Sequence, residues 1–144
     1  MLNVGIIGCG KIAQVRHLPE YSTNPGAKVV ALFDLNANRA EALAAQYGAK
    51  AYATYEELLL NPGIDAVSIC TANDSHAEIA CAALVAGKHV LCEKPMATTL
   101  ADCERMVALS KLHGKTLMIG QNQRLAGAHV KARELIRSGA IGKP

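Results

Sequence analysis

The sequence from residue 3 to residue 13 reads Asn-Val-Gly-Ile-Ile-Gly-Cys-Gly-Lys-Ile-Ala. A short apolar run leads into Gly8, Gly10 and Ala13, which have the spacing Gly-x-Gly-x-x-Ala. In a strand-turn-helix unit, Gly8 permits a tight turn, Gly10 lets a pyrophosphate approach the backbone, and Ala13 lets the helix pack close to the sheet. We therefore predict a strand over residues 3–8, with a helix opening directly after the glycine turn.

The start of this helix is a candidate phosphate site. Its first residues, Lys11 and Ile12, carry backbone N–H groups without helical partners, and the positive end of the helix dipole favours an anion. Asp34 follows Ala13 by 21 residues and ends the second predicted strand, where its carboxylate can accept both hydroxyls of an adenosine ribose. These features predict a dinucleotide site; the alternative is a purely structural glycine turn.

The same carboxylate indicates which dinucleotide binds. Asp34 would repel the 2′-phosphate of NADP, and the next two residues, Leu35 and Asn36, are not cations. Arg39 lies one helical turn away and keeps NADP possible. We therefore expect NAD as the cofactor, with NADP as the alternative.

Apolar runs of strand length alternate with helix-length segments along the chain. This alternation is typical of a parallel sheet joined by crossover helices, and runs rich in Val, Ile and Leu indicate strands covered on both faces. We predict an α/β fold, a Rossmann-type doubly wound parallel sheet with helices on both faces. The predicted strands cover residues 3–8, 28–33, 49–52, 65–70, 89–92 and 116–119.

Several helix ends can also be predicted. Thr54 and Thr99 each precede an acidic residue by three positions, which is the spacing of a capping box. Pro19 lies inside the first predicted helix, so we expect a break or a short second helix there. Residues 126–138 have the composition of a final helix.

Composition limits the class of protein. The 144 residues, 51% hydrophobic and 19% charged, fit one globular domain over residues 1–144. The apolar runs are shorter than the roughly 18–20 residues of a membrane span, so we expect a cytoplasmic protein without membrane contact. A net charge of +3 and 3% aromatic residues argue against nucleic-acid binding. The five cysteines form no Cys-x-x-Cys pair, and we expect neither disulfides nor a metal site.

Two further stretches carry a resemblance to a known family. Residues 71–76 read Thr-Ala-Asn-Asp-Ser-His, and residues 87–95 end in Glu-Lys-Pro. Together with the glycine turn, they resemble the Gfo/Idh/MocA oxidoreductases, the glucose-fructose oxidoreductase and inositol dehydrogenase group. Asn122 and Arg124 resemble the stretch with which that family leaves its nucleotide domain. The family usually has proline where Ala72 stands, a departure that loosens the turn without removing a ligand.

The resemblance implies roles for individual side chains. It makes Lys94 the catalytic residue, which would exchange a proton with a substrate hydroxyl while the carbon gives hydride to nicotinamide. Glu93 would orient the site or contact the nicotinamide ribose, and Pro95 would follow a cis bond. The alternative for Glu93 and Lys94 is an ordinary surface ion pair.

The remaining implied cofactor residues are Thr71, Asn73, His76 and Asn122. For His76, the alternative is a ring satisfied by neighbouring backbone.

The expected function is that of the nucleotide-binding domain of an NAD-dependent oxidoreductase acting on a sugar, polyol or related hydroxyl compound. Family members are more than twice as long, and their C-terminal domain, which binds substrate and forms the oligomer, is expected to be absent here. The 144 residues alone should therefore be inactive, and the full-length protein should be a homo-oligomer. The alternative is a stand-alone NAD-binding sensor or regulatory module without catalysis.

Overall fold

A computed structural model describes residues 1–143. Six parallel strands form one sheet in the order β3-β2-β1-β4-β5-β6. The order runs outward in both directions from β1 and β4, as in a doubly wound nucleotide-binding fold. The predicted fold class is therefore confirmed. The strands are β1 (Leu2–Ile7), β2 (Ala27–Phe33), β3 (Lys50–Ala51), β4 (Ala66–Ile69), β5 (His89–Cys92) and β6 (Leu117–Ile119).

Helices connect successive strands on both faces of the sheet. The α-helices are α1 (Leu18–Thr23), α2 (Ala37–Tyr47), α3 (Tyr55–Leu60), α4 (His76–Val85), α5 (Leu100–His113) and α6 (Gly127–Arg137). A π-helical segment, Ala13–His17, precedes α1, and 3₁₀ turns at Asn73–Ser75 and Asn122–Leu125 precede α4 and α6.

The capping residues predicted at Thr54 and Thr99 are confirmed. The Thr54 side chain accepts a hydrogen bond from the Glu57 N–H, and that of Thr99 accepts one from the Asp102 N–H. Pro19 is the second residue of the short helix α1, which continues the π-helical segment Ala13–His17 without a gap, so the irregularity expected near Pro19 is this π-helical segment and not a break. The helix predicted over 126–138 is observed over Gly127–Arg137, and none of its residues is buried.

The core lies on both faces of the sheet because adjacent residues of a strand point to opposite sides. Ile6 and Ile7 are both fully buried, yet they belong to different hydrophobic clusters. The Ile6 cluster includes Leu18 of α1 and Ala44 of α2, whereas the Ile7 cluster includes Met106 of α5. Burial on both faces explains the uninterrupted apolar runs of the central strands.

Among residues 1–143, no helix is both long and apolar enough to cross a membrane.

The turn after β1 is tied to both neighbouring strands. The Gly8 N–H donates to the Phe33 carbonyl at 2.8 Å, and the Cys70 N–H donates to the Ile7 carbonyl at 2.8 Å. Gly8 has φ +90°, and a Cβ there would lie 2.8 Å from the carbonyl carbon and oxygen of Cys70. Gly8 is therefore required both for backbone conformation and for the close approach of β1 to the end of β4.

Gly8→Ala should lower the free energy of unfolding by about 2–4 kcal/mol, because a Cβ is strained at this φ and overlaps backbone. Gly10→Ala is the matched control. A Cβ at Gly10 meets no atom within 4 Å, so stability should change by less than about 1 kcal/mol. Urea denaturation followed by circular dichroism measures both values, and equal small losses would contradict this account of Gly8.

Candidate functional site

A cleft lies at the carboxyl edge of the sheet, between the ends of the neighbouring strands β1 and β4. The connections that leave these two strands run to opposite sides of the sheet. Ligands of open parallel sheets bind in this position. The cleft contains a cavity of about 340 Å³. Its lining brings together four predicted site residues, Gly8, Gly10, Asp34 and Thr71, with Phe33, Leu35, Arg39, Cys70 and Ala72.

The Asp34 carboxylate is buried at the β2 side of this cavity. Its Oδ2 accepts the Cys9 N–H at 2.7 Å, and its Oδ1 accepts the Asn36 N–H at 2.7 Å. Arg39 donates to Oδ1 at 2.7 Å. Burial alone would raise the pKa of Asp34, but the hydrogen bonds from Arg39, Asn36 and Cys9 together hold it below its ordinary value. Asp34 is therefore ionised at neutral pH and fixed in orientation.

The start of the first helix leaves room for a ligand group. A side chain at Gly10 would point into open space beside the cavity, and Lys11 and Ile12 are exposed at the first helical positions. Ala13 is fully buried in the cluster beneath. An open glycine, a helix N-terminus and a fixed carboxylate in one cavity fit a dinucleotide, with phosphate beside Gly10 and ribose at Asp34.

Thr71 lies at the opposite wall of the cavity, two residues after the end of β4. Its Oγ1 accepts a hydrogen bond from Ser75 at 2.8 Å. This contact joins Thr71 to the 3₁₀ turn that contains Asn73, whose side chain is exposed outside the cavity lining.

His76 is buried beneath the cleft, with 1% of its surface exposed. Its Nδ1 lies 2.7 Å from the Pro95 carbonyl oxygen, and its Nε2 lies 3.3 Å from that of Thr71. Both ring nitrogens thus face backbone oxygens, which corresponds to the backbone-satisfied alternative. The structure thus shows His76 joining the Thr71 and Pro95 loops, and its contact with the cofactor stays a prediction.

The Glu-Lys-Pro tripeptide follows β5 at the same edge of the sheet. Lys94 is exposed, and the Lys94–Pro95 peptide bond is cis, as the resemblance implied. Glu93 does not pair with the Lys94 ammonium. Its Oε1 lies 2.9 Å from Nε2 of His17.

His17 belongs to a set of polar residues that sequence reasoning missed. Its Nδ1 lies 3.0 Å from the Ser68 hydroxyl, which is 3.1 Å from that of Tyr21. A signal for them was present: His17 and Tyr21 follow Ala13 at four-residue intervals, so polar groups share a helix face with a residue predicted to touch the sheet.

Asn122 lies in the exposed 3₁₀ turn after β6, away from the cavity lining.

Burial raises the pKa of the Cys9 thiol to about 12, with a further contribution from Asp34, so Cys9 remains protonated within the glycine turn. Among residues 1–143, no three His, Cys, Asp or Glu side chains are grouped so as to hold a metal ion.

Comparison with known sequences gives a match to a family model described as "Oxidoreductase family, NAD-binding Rossmann fold", over residues 2–121. Inositol 2-dehydrogenase of Salmonella typhimurium is 38% identical over 146 residues, which cover 99% of this chain and 44% of that protein. The 1,5-anhydro-D-fructose reductase of Ensifer adhaerens is 39% identical, over 97% of this chain and 42% of that protein.

Among solved structures, a 3-ketoreductase from Actinomadura kijaniata in complex with NADP and TDP-benzene superposes with a TM-score of 0.89 at 33% identity. The match covers 96% of this chain and 42% of that one. This chain therefore spans less than half the length of the relatives it matches. The family match, the sheet order and the cleft agree, and the chain belongs to the Gfo/Idh/MocA oxidoreductase family, as an NAD(P)-binding Rossmann domain.

Proposed function

We propose that these residues form the cofactor-binding half of an enzyme that transfers hydride between NAD and a hydroxyl-bearing carbon of a sugar or polyol. The observation that carries the proposal is the cavity at the β1–β4 switch point, where Gly10 is open and Asp34 is fixed and ionised. The bound cofactor supplies the hydride donor or acceptor, and the chain supplies binding, orientation and proton transfer.

Within this proposal, the two sides of the cleft take the two halves of the dinucleotide. Asp34, the residue after β2, would accept the hydroxyls of the adenosine ribose, and the backbone at Gly10 would contact the pyrophosphate. The nicotinamide would then lie on the β4–β5 side, where Thr71 and Glu93 follow their strands. Asn73 follows β4 and Asn122 follows β6; both are exposed and stay proposed contacts.

Lys94 is the proposed acid-base residue. It is exposed at the carboxyl edge of the sheet, and the adjacent carboxylate is engaged by His17. An ammonium group there can hold or release a proton at the substrate hydroxyl oxygen. The relatives are named for inositol and anhydrofructose, which supports a polyol or sugar as substrate. Because these relatives are dehydrogenases and reductases, the similarity to them also favours an enzyme over a non-catalytic sensor.

The 144-residue chain should bind NADH, because the glycine turn, the first helix and Asp34 all lie within it. Gly10→Leu should abolish binding, since its side chain would occupy the open space proposed for the pyrophosphate. Isothermal titration calorimetry measures affinity, and a melting curve controls for folding. A folded wild-type chain that gives neither heat nor a thermal shift with saturating NADH would refute the proposed function.

Asp34→Ser combined with Leu35→Arg should move the NADPH/NADH affinity ratio toward NADPH by about tenfold or more. The change removes a carboxylate that would repel the 2′-phosphate and releases Arg39 from its ion pair. Competition titrations before and after the substitution give the ratio. Asp65→Ser, remote from the cavity, is the control, and an unaltered ratio in the double variant would show that Asp34 does not contact the ribose.

NADH formation should be undetectable with the 144-residue chain, although the chain binds the cofactor. Hydride transfer needs the reacting atoms held about 3–3.5 Å apart, and correct placement supplies roughly 7–11 kcal/mol of the barrier. We propose that this placement requires the counterpart of the relatives' remaining length. The assay uses a panel of sugars and polyols, and turnover by these residues alone would show that they already contain the substrate site.

A further inference from the structure

A chain of polar side chains connects α1 to the Glu-Lys-Pro tripeptide on the β4–β5 side of the cleft. Glu93 Oε1 lies 2.9 Å from His17 Nε2, His17 Nδ1 lies 3.0 Å from Ser68 Oγ, and Ser68 Oγ lies 3.1 Å from Tyr21 Oη. Each contact in this row of four side chains can join a hydrogen-bond donor to an acceptor. One arrangement pairs every group: Tyr21 donates to Ser68, Ser68 donates to Nδ1 of His17, and Nε2–H of His17 donates to the carboxylate.

This arrangement is costly for a purely structural contact. The side chains of His17 and Glu93 are 10% and 17% exposed, and Ser68 is fully buried in the middle of β4. Withdrawing a carboxylate and three polar groups from water costs free energy that packed apolar side chains would not cost. In addition, the helix leaves α-geometry over Ala13–His17, and π-helical segments of this kind occur frequently at functional sites.

The Glu93 carboxylate is also held from its other sides. The Lys94 N–H donates to Oε2 at 3.2 Å. A Cβ at Gly120 would lie 3.3 Å from the carboxyl carbon and from both of its oxygens, so the glycine backbone packs against the carboxylate. Together with the contact between His17 and Oε1, these contacts hold the Glu93 carboxylate in one orientation.

We propose that His17 is a positioning residue that fixes the Glu93 carboxylate for the nicotinamide half of the cofactor, while Ser68 and Tyr21 hold the histidine ring. This inference rests on the proposed function, which assigns the β2 side of the cleft to the adenosine. His17 acts through Glu93 and does not itself contact the cofactor. Losing it should therefore weaken the interactions of one half of the dinucleotide and spare those of the other half.

The test compares NADH with ADP, which contains the adenosine and the pyrophosphate but neither the second ribose nor the nicotinamide. His17→Leu removes the donor to Glu93 and should weaken NADH binding about 10- to 100-fold, as expected for a lost hydrogen bond to a charged group. The affinity for ADP should change much less. His17→Gln keeps an N–H donor of similar reach and should recover much of the NADH affinity. His113→Leu makes the same substitution on the exposed end of α5 and should change neither affinity.

A double-variant cycle tests whether the effect passes through Glu93. In a Glu93→Gln background, His17→Leu should lower NADH affinity much less than it does in the wild type. If His17→Leu does not fold, His17→Asn, which is polar but too short to reach Glu93, replaces it in the same comparisons.

The outcomes separate this inference from the proposed function. A folded wild-type chain that binds neither NADH nor ADP would refute the proposed function. A wild-type chain that binds both, with variants of His17 that lower the two affinities equally or leave both unchanged, would overturn the positioning role alone.

Discussion

The contact between Gly8 and the peptide bond that joins Cys70 to Thr71 is the constraint on which the cleft depends. It brings the end of β1 against the end of β4 so closely that a single methyl group would overlap the backbone. The chain leaves β1 at this point and turns toward the first helix. The Gly8 N–H bonds to the carbonyl of Phe33, the last residue of β2, and the Cys9 N–H bonds to the carboxylate of Asp34, the next residue. One turn therefore sets the spacing between the β2 wall and the β4 wall of the cavity.

Two carboxylates lie on either side of that turn, and each is fixed by its neighbours. Asp34 is held by backbone N–H groups and by Arg39, so its orientation depends on the glycine turn itself. Glu93 is held by a side chain from the first helix, His17, and packs against Gly120. Because both groups are ordered by the protein, a ligand would meet preorganised acceptors, and less conformational entropy would be lost on binding.

The packing of β4 shows how the polar chain is accommodated in an apolar core. Val67 and Ile69 point into the Ile7 cluster, whereas Ser68, between them, points to the face covered by the first helix. A serine at that position gives up apolar contact and supplies a hydroxyl to His17 and Tyr21. The helix next to it widens into π-geometry before α1 begins at Leu18. The sheet and the first helix thus share a polar interface directly beneath the Glu-Lys-Pro loop.

The sequence by itself determined the fold class, the glycine turn, the helix caps and the position of Asp34 at the end of the second strand. Each of these follows from local residue spacing and from the period of the hydrophobic residues. Tertiary structure decided what the histidines do. His76 is buried between two backbone oxygens, and His17 meets Glu93. Residues 17 and 93 are far apart in the chain, and their contact exists only because the first helix packs on the sheet beside β4 and β5. A local pattern carries no information about such a pair, since the distance between its members is set by the packing of whole elements.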